Sequence, residues 1–130
     1  MIKHFAKFHL PAVIYGVLII IISSIHGLSL PPVKIIALDK IVHFFEYALF
    51  AVLIFRSFSN LSPAIKDRIV IFLTMLFITI FAVFDEIYQN YIPGRHSDPF
   101  DFLFDIMGAL FIILYLFARK KRAAEKSAAK

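Results

Sequence analysis

The chain has 130 residues, 61% of them hydrophobic and only 18% charged, with 16 Phe, no Trp and no Cys. That length allows one domain, the apolar share is well above that of a soluble globular domain, and the lack of cysteine excludes disulfides and thiolate metal sites. The net charge of +5 comes from Lys and Arg at helix ends and in the tail, without a nucleic-acid motif, so it speaks for membrane orientation and against nucleic acid as a partner.

Residues 1–9 carry Lys3 and Lys7 and lead into an apolar run over residues 10–25. A basic start before an apolar core also suits a signal peptide. The run is long for one and the small-x-small cleavage site is poorly formed, so an uncleaved first transmembrane helix is expected. Pro11 falls near its start, where a missing N–H does least harm. Residues 27–38 contain Pro31-Pro32, which cannot continue a helix, and read as a short exposed connection. Asp39 is a suitable N-cap for a second helix running to about residue 58. Its uncharged stretch, residues 47–55, is far too short to cross a hydrocarbon core of about 30 Å at about 1.5 Å per residue. His43 and Glu46 therefore belong inside the span, and Asp39, His43 and Glu46 recur at i, i+4 and i+7 on one face.

Asn60, Ser62 and Pro63 break the chain before a third helix, which starts near residues 66–69 and runs uncharged to Phe84 before continuing through Asp85, Glu86 and Gln89. Asp85 and Gln89 share a face, and Tyr88 and Tyr91 suit the membrane interface. A Pro93-Gly94 turn follows, with Arg95 and His96. Asp98 or Ser97 then caps a fourth helix with Pro99 in its first turn. Asp98, Asp101, Asp105 and Gly108 fall at i, i+3, i+7 and i+10 as one stripe, and Gly108-Ala109 permits close helix approach on it. The expected fold class is all-α: an integral membrane four-helix bundle over residues 1–118, followed by a basic tail over residues 119–130 that anchors to anionic headgroups.

Four crossings put both termini on one side. The amino end, the second connection and the tail hold eleven Lys and Arg, against Lys34, Lys40 and Arg95 on the other side. The positive-inside rule makes both termini cytoplasmic and the chain a multi-pass protein of the bacterial cytoplasmic membrane. Seven of the nine acids (Asp39, Glu46, Asp85, Glu86, Asp98, Asp101 and Asp105) then lie in the outward half.

Ionisable groups at membrane depth are expensive and usually face a bundle interior or a wet cavity. The candidate ligand-binding residues are Asp39, Lys40, His43, Glu46, Asp85, Glu86, Gln89, Arg95, Asp101 and Asp105, with His43, Asp85 and Glu86 as candidates for catalysis. If they converge, so many carboxylates need Lys40, Arg95, a proton or a divalent cation such as Mg²⁺ or Ca²⁺ to balance them. A His among carboxylates suits acid–base chemistry equally. The plainest alternatives are a polar network that only locks the helices together, or an ordinary interfacial loop. Standard catalytic motifs are absent.

Asp39-Lys40-x-x-His43, Asp85-Glu86-x-x-Gln89, Pro93-Gly94-Arg95 and Asp101-x-x-x-Asp105-x-x-Gly108 together resemble the VanZ-like family over most of the chain. One departure is Asp105, whose position is more often Asn in that family; it adds a titratable group. The family takes its name from a protein associated with low-level resistance to teicoplanin, a lipoglycopeptide acting at the outer surface of Gram-positive bacteria. The resemblance implies a small bacterial envelope membrane protein. Three functions then compete: binding of an envelope amphiphile or lipid-linked cell-wall component, a metal- or acid/base-dependent enzyme acting on a lipid headgroup, and an ion or proton pathway. A pathway needs polar residues along the cytoplasmic half, where only Ser23, Ser24, Thr74 and Thr79 are expected.

Overall fold

The computed structural model describes residues 2–25, 36–95 and 97–128. Among them the chain is all-helical, with α1 (Ile2–Phe8), α2 (Leu10–Ser23), α3 (Ile36–Ser59), α4 (Asp67–Gln89) and α5 (Pro99–Ala128) in order. Many core residues are Ile, Val and Phe, poor helix formers in water. In a bilayer they are helical because every backbone N–H and C=O must be satisfied within the segment. Residues 26–35, which hold Pro31-Pro32, and His96 lie outside the described residues.

Three helices are long and apolar enough to cross a membrane: Leu38–Ser59, Asp67–Gln89 and Pro99–Ala128. A fourth crossing follows if α1 and α2, bent by 47° at His9, count as one broken span. Pro11 accounts for the bend, since its ring clashes with the carbonyl four residues back and it lacks the N–H that would bond there. The expected helix over residues 10–25 is thus preceded by a second short helix. At the bend His9 Nδ1 lies 2.7 Å from Ser57 Oγ, which ties α2 to the end of α3.

One other boundary differs from expectation. Because α3 already begins at Ile36, Asp39 stands in its first turn and is not its cap, where its charge meets the helix N-terminal dipole. At 30 residues, roughly 45 Å, α5 is longer than a bilayer core and runs through residue 118 without a break. Its residues 119–123 and 125–128 are exposed, and Lys120 pairs with Asp67 at 2.6 Å. The remaining starts follow the sequence. Lys66 precedes α4, and Asp98 caps α5 by accepting the Phe100 N–H at 2.9 Å. Gly94 has φ 80 in a turn closed by Arg95 N–H to the Ile92 carbonyl at 3.1 Å, a conformation that favours glycine.

Helix α3 is central. It packs most extensively on α5, and also on α4 and α2. The tight α3–α5 contact has a clear cause: Gly108 lies directly against the Phe44 backbone, and a Cβ there would collide with the Phe44 carbonyl. Small residues let helix backbones approach in this way. The apolar core joins Tyr47, Phe50 and Ile54 of α3 with Ile78 and Ala82 of α4, Ala109 and Ile113 of α5, and Ala12 and Ile19 of α2. The Phe50 and Phe81 rings meet edge to face at 4.9 Å. Around this core, Phe45, Phe72, Phe84, Phe111 and many Ile, Leu and Val side chains are exposed, as a lipid-facing surface requires.

Candidate functional site

The start of α3, the end of α4 and the start of α5 meet at one end of the molecule, and they carry the charges there. On α3, Lys40, His43 and Tyr47 follow one another at i, i+3 and i+7, and all three are buried. On α4, Asp85, Glu86 and Gln89 are buried, and on α5 Asp101 and Asp105. The close approach at Gly108, one turn past Asp105 and beside the neighbour of His43, sets the separation of the acidic stripe from α3.

Two bonded groups result. The Lys40 ammonium donates to Asp98 at 2.5 Å and to Asp101. It holds the Asp98 carboxyl below the usual aspartate range, with a further contribution from the Phe100 N–H. His43 stands between the α5 acids, with Nδ1 3.0 Å from Asp105 Oδ1 and Nε2 4.0 Å from Asp101 Oδ2. In the second group, Asp85 Oδ2 accepts from Gln89 Nε2 at 3.2 Å and from the Tyr47 hydroxyl at 3.4 Å, and the buried Ser23 hydroxyl faces the same carboxylate. Glu86 Oε2 accepts the Asp98 backbone N–H at 3.0 Å, which holds the entry of α5 against α4. The other oxygens of Asp85, Glu86 and Asp105 are buried without a hydrogen-bond partner. Such groups ordinarily find a partner, because leaving them bare costs about 1–3 kcal/mol or more each.

Of the expected site residues, Lys40, His43, Asp85, Glu86, Gln89, Asp101 and Asp105 come together. Asp39 is half-buried at the edge, within ligand-sharing distance of His43 and Asp101. Glu46 is half-buried in a groove with Tyr15, Phe45 and Leu49, while feeling the charges of His43, Asp85 and Arg95. Arg95 donates Nη2 to the Ile22 carbonyl at 3.3 Å, at the carbonyl end of α2, where a cation satisfies an orphan acceptor. Its Nε is buried and unpartnered.

Sequence reasoning missed Tyr47, although it lies one turn beyond His43 on the same face. It also misplaced two serines. Ser23 faces Asp85 and Ser24 bonds the Tyr88 hydroxyl at 2.8 Å, so both belong to the charged end and not to the opposite half. They occupy the last turn of a helix that starts at the far end. Thr74 is occupied by its own helix, donating to the Val70 carbonyl at 2.8 Å.

Chemically the cluster offers an ammonium already shared by two carboxylates, an imidazole between carboxylates, and three unused carboxylate oxygens. Two groups, Asp39/His43/Asp101 and His43/Glu86/Asp105, each bring their ligand atoms within 4.8 Å of one another. Among protein families, one described as VanZ/LLP1 matches residues 3–120. No curated protein and no solved structure matches the chain.

Proposed function

The chain belongs to the VanZ/LLP1 family, and from that membership together with its buried charged cluster we propose that it is a small bacterial envelope protein binding the polar head of an amphiphile or lipid-linked cell-wall component. In this reading residues 1–118 form a four-helix transmembrane bundle in the cytoplasmic membrane, with α1 and α2 as one bent crossing. Both termini and the basic tail, residues 119–130, are cytoplasmic. Eleven Lys and Arg on the side of the termini against three opposite support that orientation. The cluster then opens toward the outer leaflet.

The observation that carries the proposal is the convergence of four buried carboxylates, Lys40 and His43 from three helices at one end of an otherwise apolar chain. Charges cost too much at this depth to be held there without use. Lys40 and Arg95 are the anchors for phosphate or carboxylate, and the acids take amine or sugar groups. The apolar part of the ligand lies along the Phe-rich outer faces, where no further protein is needed. The test is native mass spectrometry of purified protein with candidate envelope lipids, alongside teicoplanin susceptibility of an expressing host. Arg95→Ala, Asp85→Asn and His43→Ala should lose binding while reaching wild-type membrane levels, since removing charge eases insertion. Full binding by all three at wild-type levels would reduce the cluster to packing.

A second function is favoured by one feature, the placement of His43 between Asp101 and Asp105. An imidazole oriented by carboxylates on both sides is suited to acid–base work on a lipid headgroup, with Asp85 or Glu86 as the partner acid. Turnover of a headgroup by wild type, lost in His43→Ala, distinguishes it from binding alone.

A further inference from the structure

We propose that His43, Glu86 and Asp105 form a binding site for a divalent first-row cation such as Mn²⁺ or Zn²⁺. The inference rests on the cluster being a ligand site, and it names the ion that the ligand's phosphate would meet. The three residues come from α3, α4 and α5, and one donor atom of each lies within 4.8 Å of the others. Trans ligands on bonds of about 2.1 Å stand about 4.2 Å apart, and cis ligands about 3.0 Å. His43 Nδ1 and Asp105 Oδ1 are already at 3.0 Å.

The independent observation is the set of unpartnered oxygens. Glu86 Oε1 and Asp105 Oδ2 are buried without a hydrogen bond, on residues 8% and 1% exposed. Two carboxylates and a neutral imidazole balance a dication, which removes the uncompensated charge that burial penalises. The second group, Asp39/His43/Asp101, is the poorer choice. Its Asp101 is already bonded by the Lys40 ammonium, which would repel a dication. Asp101 serves the site differently, since its Oδ2 faces the distal nitrogen of His43, the outer carboxylate–histidine arrangement that orients a ligating imidazole. The donor set decides the class of ion. Imidazole argues against Mg²⁺ and Ca²⁺, and with no cysteine in the chain a thiolate-preferring ion has nothing to bind. Three protein ligands leave coordination positions open for phosphate oxygens.

Full-length protein in detergent, stripped with EDTA and equilibrated with Mn²⁺ or Zn²⁺ alone, should retain about one ion per chain by mass spectrometry of the metal, as a single set of three protein ligands implies. His43→Gln and Glu86→Gln should each lose about tenfold or more in affinity. Asp67→Asn, at the far end of α4 from the cluster, should bind as wild type. For wild type loaded with Mn²⁺, nitrogen hyperfine coupling in the electron spin-echo spectrum reports imidazole ligation even if a variant does not fold. Substoichiometric metal, unchanged affinity in both Gln variants, or no nitrogen coupling would each overturn the site. A protein that captures envelope lipid while metal-free overturns this inference alone, and one that holds the metal but captures no lipid overturns only the headgroup proposal.

Discussion

Replacing Gly108 with Ala perturbs the geometry on which everything at the charged end depends. A Cβ at this position falls 2.9 Å from the Phe44 carbonyl carbon and 3.1 Å from its Cα, and nearer still to the carbonyl oxygen. Non-bonded carbons settle at about 3.5–4.0 Å, so α3 and α5 must separate by roughly 1 Å. Both obstacles are backbone, and neither can rotate away. Overpacking of this kind costs about 1–3 kcal/mol. At roughly 3–5 °C per kcal/mol for a chain of this size, the melting temperature in detergent should fall by about 3–15 °C. The same separation lengthens the 3.0 Å contact of His43 with Asp105, so ligand binding should weaken more than stability alone explains. Gly16→Ala is the control. Its Cβ would meet the tip of the Phe50 ring at 3.2 Å, a side chain that can give way, so a loss under about 1 kcal/mol is expected. A Gly108→Ala protein that melts with wild type, or a larger loss for Gly16→Ala, would refute the backbone-contact account of the α3–α5 seam.

Lys40→Met should cost about 3–5 kcal/mol by leaving Asp101 buried without its cation, and Lys40→Met with Asp101→Leu should recover most of that in thermal unfolding. Asp98→Asn should narrow its gap to wild type as the solution is acidified. A carboxyl whose folded pKa is lowered stabilises above its unfolded value near ~3.9 and loses that contribution as pH falls through the folded value, so melting curves of the pair should converge only below about pH 4. In intact cells, His96→Cys should react with a membrane-impermeant maleimide and Ser59→Cys should not, a clean comparison in a chain without cysteine; the reverse pattern would invert the orientation and remove the outer leaflet from the functional account.

The chain's own pattern determines a good deal. Apolar runs interrupted by Pro and Asn mark the spans, because a bilayer admits only backbone that satisfies itself. Helical periodicity is local and regular, so the stripes Asp39–His43 on α3, Asp85–Gln89 on α4 and Asp101–Asp105 on α5 can be read without knowing what they face. Asp98 as a cap and Gly94 in its turn are likewise local, since each depends on the residues beside it. What periodicity cannot contain is the rotation of one helix about its axis relative to another, or its offset along that axis. Those were decided where Gly108 meets Phe44 and where Phe50 packs on Phe81. They pair Lys40 with Asp98 and Asp101, aim His43 at Asp105, bring Tyr47 and Ser23 to Asp85, and turn Glu46 toward the α2 groove although it shares the spacing of His43. They also leave three buried carboxylate oxygens bare, because which acid receives a partner depends on distances between helices, 38 residues apart for Tyr47 and Asp85 and 62 for His43 and Asp105.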